Sequence, residues 1–271
     1  MTDLRIRGIF DSELPQTEWR SHLRFVVHPH FGDLLHRDFL RVPVGARFGL
    51  TDRWDVSADV EGYFSHGLKA DAFGAHAGLS GLWLSTKYHW GEWLRPHVEA
   101  ASGLSFARPI GAPPEEITDG LRHITPFLTL SHEVAGRPNL TLFLNLGYDF
   151  AEPTHYRAVR RRNAFSDDSW SFTPGFVWKR GKLRCTLEAG FATNEGLEGP
   201  PATVYVLRPA IAWELPRRLT FKSDGHWVLG LGLRTARGPD GTDVSLSAKL
   251  RGDFDFKRLI GRGRKREQPA R

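Results

Sequence analysis

Residues 40–64 read LRVPVGARFGLTDRWDVSADVEGYF. Apolar side chains alternate with polar or small ones from Leu40 to Leu50, and the alternation resumes from Trp54 to Phe64. Successive side chains of a β-strand point to opposite faces, so each half of this stretch predicts a strand with one apolar and one polar face. The short break between the halves predicts a hairpin turn.

The same alternation recurs about twelve times along the chain. The clearest further examples are 139–150, 170–178, 183–191 and 244–250, and weaker ones begin near Trp19, Gly78, Leu94, His123, Thr203 and His226. Most of these segments reach the roughly nine to eleven residues that a tilted transmembrane strand needs. Strands of soluble proteins usually have five or six residues. The pattern therefore predicts an all-β chain with long strands and no helix of useful length.

The composition limits the classes of protein to which the chain can belong. Hydrophobic residues make up 40% of the 271 positions and the mean hydropathy is −0.37, which excludes a bundle of membrane helices but not a membrane barrel. Cys185 is the single cysteine, so no disulfide forms within the chain. No linker rich in Pro, Gly or Ser divides the pattern. We expect one domain.

The charge of the chain lies at its C-terminal end. The formal net charge is +6, and the basic residues from Lys257 onward account for all of it. We therefore divide the chain into an N-terminal stretch at 1–17, a barrel domain at 18–256 and a basic tail at 257–271. A solvated, disordered extension is the simplest interpretation of the tail, and contact with anionic lipid is the alternative. A nucleic-acid partner is not expected.

Connections and tryptophans add two independent indications. Tight turns alternate with longer connections along the chain. The tight turns are at 51–53, 91–93, 135–138 and 180–182, and the longer connections are at 32–39, 66–76, 108–121, 151–168 and 194–202. The connection at 216–225 is an exception, because it is longer than its place in this alternation predicts. Seven tryptophans lie near predicted strand ends: Trp54, Trp90, Trp93, Trp170, Trp178, Trp213 and Trp227. Short turns at one end, long loops at the other and aromatic girdles at both are typical of outer-membrane barrels.

The sequence resembles the bacterial outer-membrane β-barrel proteins, in particular monomeric barrels of about twelve strands. The hairpin at 42–64 and the aromatic-ended stretch GDFDF at 252–256 carry the resemblance. It implies a closed up-and-down antiparallel transmembrane β-barrel in the outer membrane. It also implies three partners: outer-membrane lipids, lipopolysaccharide and the barrel-assembly machinery. Residues 1–17 show no signal peptide, although export requires one.

If the charged faces turn inward, they line a pore. The candidate pore-lining residues are Arg41, Arg47, Asp55, Asp59, Glu61, Lys87, His97, Glu99, Glu133, Asp149, Lys179, Arg184, Glu188, Lys249 and Arg251. A second candidate site lies in the long loop at 151–168. There Arg157, Arg160, Arg161 and Arg162 are candidates for binding an anionic solute or the phosphates of lipopolysaccharide.

Catalysis and metal binding find little support. Some twelve-stranded barrels are lipid hydrolases. Their site resembles a catalytic triad, with a His-x-Ser pair on one strand face and an orienting amide nearby. Here His123-x-Thr125 is the nearest approach, and His28 and His30 share a face without a nameable third metal ligand. We expect no metal, cofactor or catalytic residue. The favoured function is a passive, porin-like channel for small polar or anionic solutes. The alternatives are a lipid- or lipopolysaccharide-modifying enzyme and a sealed structural or adhesion barrel.

Overall fold

The structure is a computed structural model. It describes residues 12–32, 40–64, 77–93, 97–113, 117–155, 167–197, 201–216, 219–220, 225–239 and 241–256. The loop arginines Arg157, Arg160, Arg161 and Arg162 and the tail at 257–271 lie outside these residues. No helix in the described part of the chain is long and apolar enough to cross a membrane.

Thirteen strand segments make up one sheet. They are β1 (His22–Val27), β2 (His30–Phe31), β3 (Leu40–Thr51), β4 (Trp54–Phe64), β5 (Ala77–Glu92), β6 (Val98–Pro109), β7 (Leu121–Glu133), β8 (Leu140–Pro153), β9 (Ser169–Arg180), β10 (Leu183–Thr193), β11 (Thr203–Glu214), β12 (His226–Gly238) and β13 (Gly241–Asp255). From β2 to β13 every strand pairs antiparallel with the next strand along the chain.

The first and last strands close the sheet into a barrel. β1 pairs with β13 on one side and with β3 on the other, and β2 does the same. β1 and β2 are therefore one strand that is interrupted at Pro29, which has no N–H to donate to a neighbour. The thirteen segments fill twelve positions of a closed up-and-down barrel. This confirms the fold class that the sequence predicts.

The two faces of the wall point as the alternation predicts. Val44 and Leu231 on the apolar face are 50% and 51% exposed, whereas Asp55 and Lys87 on the charged face are 1% exposed. A belt of exposed apolar side chains of this extent is not stable in water. The apolar face is therefore the outer surface of the barrel, and the charged face lines the lumen.

The connections distinguish the two ends of the barrel. We call one end the short-turn end, where 52–53, 93–97, 134–139, 181–182 and 215–225 join the strands. We call the other the long-loop end, where 32–39, 65–76, 110–120, 154–168 and 194–202 join them. The connection at 239–240 is the short exception at the long-loop end. Most exposed tryptophans lie on strands near these ends: Trp54, Trp90, Trp170, Trp178 and Trp213.

Candidate functional site: the barrel lumen

A stretch of chain that belongs to no barrel strand crosses the lumen. We call residues 12–20 the N-terminal segment. At its start Ser12 Oγ donates a hydrogen bond to Glu188 Oε2 on β10, at 2.9 Å. Near its end Thr17 Oγ1 donates to the Asp52 carbonyl in the turn after β3, also at 2.9 Å. The buried members of the segment are Ser12, Leu14, Pro15, Thr17 and Glu18. The short-turn half of the lumen is therefore occupied by the chain itself.

Two cations of the wall hold the carboxylate of Glu13. Arg47 Nη1 on β3 donates to Glu13 Oε2 at 2.7 Å, and Arg47 Nη2 contacts Oε1. Lys87 Nζ on β5 donates to the same Oε2 at 2.9 Å. Burial raises the pKa of the Glu13 carboxyl, but the charges and hydrogen bonds of Arg47 and Lys87 outweigh burial and lower this pKa well below its usual range. Glu13 is therefore an ionised partner of both cations.

Lys87 also binds the backbone of the N-terminal segment. Its ammonium donates to the Leu14 carbonyl at 2.7 Å and to the Gln16 carbonyl at 3.0 Å. Thr129 Oγ1 on β7 donates to the Glu13 carbonyl at 2.8 Å. The Lys87 side chain is only 1% exposed. A buried ammonium requires acceptors, and in this structure the segment supplies three of them.

An apolar contact holds the segment on the opposite side of the lumen. Leu14 packs against Phe143 on β8 and Val177 on β9. The Phe143 ring lies over Gly175, where an added Cβ would stand 2.3 Å from the ring. Glycine at 175 thus lets a large ring lie flat on the inner wall. This ring and Val177 bury the leucine side chain to 2% exposure.

The segment leaves the lumen beside Gly49. A Cβ at Gly49 would stand 2.1 Å from the Trp19 carbonyl oxygen and 2.7 Å from that of Glu18. Ser21 N donates to the Gly49 carbonyl at 2.8 Å as the chain turns into β1. Only a residue without a side chain allows two backbones to approach this closely. The missing side chain at Gly49 therefore leaves the space in which the segment passes β3.

A second charge cluster surrounds this passage. Arg24 on β1 binds Glu18 at 2.7 Å and Asp253 on β13 at 2.7 Å. Arg251 Nε also donates to Asp253, at 3.1 Å, and the Glu18 N–H donates to Asp55 Oδ2 at 2.9 Å. The cluster connects the segment to three strands of the wall.

A cavity of about 410 Å³ lies on the long-loop side of the segment. Its lining includes Glu13 and five predicted pore-lining residues, which are Arg47, Asp59, Glu61, Lys249 and Arg251. Hydroxyl groups and an indole complete one side, since Ser57, Ser85, Ser105 and Trp83 also line it. The Ser57 and Ser85 hydroxyls are 2.7 Å apart and hydrogen-bond each other. This cavity can hold a small polar molecule close to the Glu13 ion pairs.

A second cavity, of about 330 Å³, lies near the long-loop end under residues 117–120. Ile117 is buried against Tyr63 of β4. His123 on β7 bonds Asp149 Oδ2 at 2.7 Å through Nδ1 and Asp119 Oδ2 at 3.1 Å through Nε2. Burial raises the pKa of Asp119, but the hydrogen bond to His123 and the one from the Leu121 N–H outweigh it and lower that pKa. The loop is thus tied into the lumen by an ion pair.

The His123-x-Thr125 pair does not have the geometry of a catalytic dyad. Thr125 Oγ1 donates to Asp149 Oδ1 at 2.8 Å and not to the imidazole. Both imidazole nitrogens face carboxylate oxygens, so neither is placed to take a proton from Thr125. The described residues also contain no group of three or more His, Cys, Asp or Glu side chains that could hold a metal ion.

The remaining predicted pore-lining residues lie at several levels of the wall. Asp55, Lys87, Arg184 and Glu188 are buried inside, and Gln16 of the N-terminal segment donates to Glu99 at the start of β6. Asp149 lines the second cavity. Arg41 lies on β3 near the long-loop end and Lys179 on β9 near the short-turn end. Glu133, at the end of β7, is exposed, and His97 is exposed in the turn before β6 with φ of 69°. Their role in a pore stays a prediction.

Sequence reasoning missed the residues that fill the lumen. Glu13, Leu14 and Gln16 lie in a stretch with no strand or helix period, so no pattern distinguishes them from a solvated end. The one available signal was the presence of inward-facing cations such as Arg47 and Lys87, since a buried cation requires an acceptor. That signal does not name the partner.

Solved structures show the same architecture. An outer membrane channel from Pseudomonas putida F1 has a TM-score of 0.57 and 11% identity, covering 88% of this chain and 97% of the channel. NanC porin has a TM-score of 0.53 and 9% identity, with coverages of 85% and 98%. KdgM porin in complex with disordered oligogalacturonate has a TM-score of 0.52 and 8% identity, with coverages of 86% and 99%.

At the level of sequence, no protein-family model matches the chain, and a search of curated proteins found no match. The likeness therefore concerns the path of the backbone. Together with the closed barrel of twelve strand positions, it shows that the chain has the fold of the bacterial outer-membrane β-barrel porins.

Proposed function

We propose that the protein is an outer-membrane channel for small polar or anionic solutes. One observation carries this proposal: a closed wall with an apolar outside encloses a charged lumen that contains a cavity of about 410 Å³. A bilayer requires every backbone group of the wall to be paired, and closure satisfies this requirement. A polar lumen is what a solute pathway requires.

The two ends of the barrel suggest its orientation. Outer-membrane barrels place short turns in the periplasm and long loops outside the cell. In that orientation the N-terminal segment closes the lumen from the periplasmic side.

The outer surface would contact lipids and lipopolysaccharide. Phe254 and Phe256 near the end of β13 pack on Trp227 and Phe48, so the stretch that we expect the assembly machinery to bind lies on the finished wall.

The cations of the lumen favour an anionic solute. Four cations line the larger cavity, Arg24, Arg47, Lys249 and Arg251, against three carboxylates, Glu13, Asp59 and Glu61. A solved structure has KdgM porin, which has a similar fold, in complex with disordered oligogalacturonate. We propose the same broad class, small anions, for this protein.

Planar-bilayer recordings of the purified full chain test the proposal. Deletion of residues 1–17 removes most of the N-terminal segment, including Glu13 and Leu14, and leaves the strands of the wall intact. We expect single-channel steps from this variant and anion over cation selectivity, with a smaller current from the wild type. Absence of steps from the folded deletion variant would contradict the channel.

The sealed structural barrel is the second candidate, and the N-terminal segment favours it. Buried contacts from Ser12 to Glu18 attach the segment to the wall. If these contacts never release, the lumen stays closed. A wild type without conductance under any solute or voltage, combined with a conducting deletion variant, would support this candidate.

A further inference from the structure

Glu13 is bound in the way that proteins bind a free carboxylate ligand. Arg47 contributes two nitrogens to the two carboxylate oxygens, and Lys87 adds a third donor. Fork-to-fork pairing of arginine with a carboxylate is a strong and geometrically specific mode of recognition. The cations belong to β3 and β5 of the wall, whereas the carboxylate belongs to a segment outside the wall.

Arg47 and Lys87 belong to the wall, and their acceptor Glu13 lies in the lumen. Lys87 is 1% exposed and Arg47 is 13% exposed at the side chain. Withdrawal of the N-terminal segment would take away the Glu13 carboxylate and the Leu14 and Gln16 carbonyls together. Without these acceptors the two cations are open to a new carboxylate, which competes with water for them.

A solute that arrives from the long-loop end can reach Arg47 and the Glu13 carboxylate that Lys87 also binds. The cavity of about 410 Å³ is lined by both Glu13 and Arg47. Serine hydroxyls at Ser57, Ser85 and Ser105 and the indole of Trp83 line the same cavity. Hydroxyl groups of a ligand can hydrogen-bond these serines, and an aromatic face can pack on a sugar ring. The lining therefore suits a hydroxylated carboxylic acid.

We propose that Arg47 and Lys87 form a binding site for the carboxylate of a small hydroxylated acid, and that Glu13 occupies this site as an internal substitute. The inference deepens the proposed channel function and rests on it for the route of the solute. A solute carboxylate and Glu13 cannot occupy the site together, so they compete. By linkage, solute binding displaces the N-terminal segment and opens the path behind it.

Calorimetric titration of the full chain in detergent with galacturonate tests the competition. In Glu13→Gln the internal competitor is lost, and we expect galacturonate to bind about tenfold more tightly than to the wild type. Glu92→Gln is the matched control, since Glu92 is exposed at the end of β5 and is not one of the candidate pore-lining residues. It should bind galacturonate as the wild type does. Galactose, which lacks the carboxylate, should show no gain with Glu13→Gln.

A second substitution locates the site. In the Glu13→Gln background, Lys87→Gln should weaken galacturonate binding at least about tenfold. Arg47→Gln replaces it if that double variant loses its β-sheet circular dichroism. Equal galacturonate affinity of Glu13→Gln and the wild type would overturn the inference, and so would an equal gain for galactose.

The proposed channel can fail separately. If the variant without residues 1–17 conducts but Glu13→Gln gains no affinity, the carboxylate site is wrong and the channel stands. If Glu13→Gln gains affinity and no variant conducts, the site stands and the channel is wrong.

Discussion

The two halves of the lumen have the same kind of wall but different contents. In the short-turn half, wall cations such as Lys87 bind the N-terminal segment. In the long-loop half, wall residues bind each other, as in the Arg234–Asp243 pair at 3.0 Å, and leave two cavities between them. The wall closes the barrel, but it does not fill the lumen. The N-terminal segment, which lies outside the wall, fills the short-turn half.

The substitution with the largest expected effect is Gly49→Val. A side chain at this position clashes with the Trp19 and Glu18 carbonyls, at 2.1 and 2.7 Å from its Cβ, and backbone cannot give way cheaply. We expect the N-terminal segment to leave the lumen and the mean bilayer current to rise about tenfold or more, toward that of the deletion variant. Neither half of the lumen would then contain the N-terminal segment.

Gly62→Val is the control for this substitution. A Cβ at Gly62 meets only the Gly78 carbonyl, at 3.5 Å, and Gly62 lies on β4 away from the segment. Its current should equal that of the wild type. A wild-type current from folded Gly49→Val would show that the segment does not limit conduction.

A smaller effect is expected for Leu14→Ala. The substitution removes the apolar contact with Phe143 and Val177 but leaves the ion pairs of Glu13 in place. Loss of a buried leucine side chain weakens docking of the segment by about 2 kcal/mol, at the lower end for such sites. Mean current should therefore lie between those of the wild type and Gly49→Val. A current above that of Gly49→Val would contradict the expected order, in which the apolar contact of Leu14 holds the segment less strongly than the passage at Gly49 does.

The smallest effect is the response to pH. The pKa of Glu13 is lower in the docked segment than in a free one, so docking is fully stabilised above the free value of about 4.3 and weakens as the pH falls below it. Current should be constant from about pH 8 to 6 and rise below about pH 4.5. In Glu13→Gln the rise should be smaller. A wild-type current that rises between pH 8 and 6 would contradict the ion pairs.

Most of the barrel is predictable from local alternation. The predicted strands at 40–50 and 54–64 match β3 and β4 closely. A half-buried strand needs apolar and polar residues at alternate positions, so its sequence alone shows the pattern. The break between β1 and β2 at Pro29 was not predicted. There the missing N–H interrupts pairing, while the strands on both sides continue past it.

The contents of the lumen are not predictable in this way. Ser12 and Glu188 are 176 residues apart in sequence, and the Glu13 pair with Lys87 spans 74. Such contacts depend on the closed shape of the wall, which brings β3, β5 and β10 around one axis. Alternation correctly places Arg47 and Lys87 on the inner face, but it carries no information about a partner from an aperiodic segment.

Cysteine labelling locates the N-terminal segment most directly. In a Cys185→Ser background, Leu14→Cys and Trp19→Cys place single thiols at positions that are 2% and 40% exposed. With a polar maleimide in detergent, Leu14→Cys should react on the order of a hundredfold more slowly than Trp19→Cys, and the two should react equally after unfolding. Equal rates in the folded protein would contradict a lumen filled by its own chain.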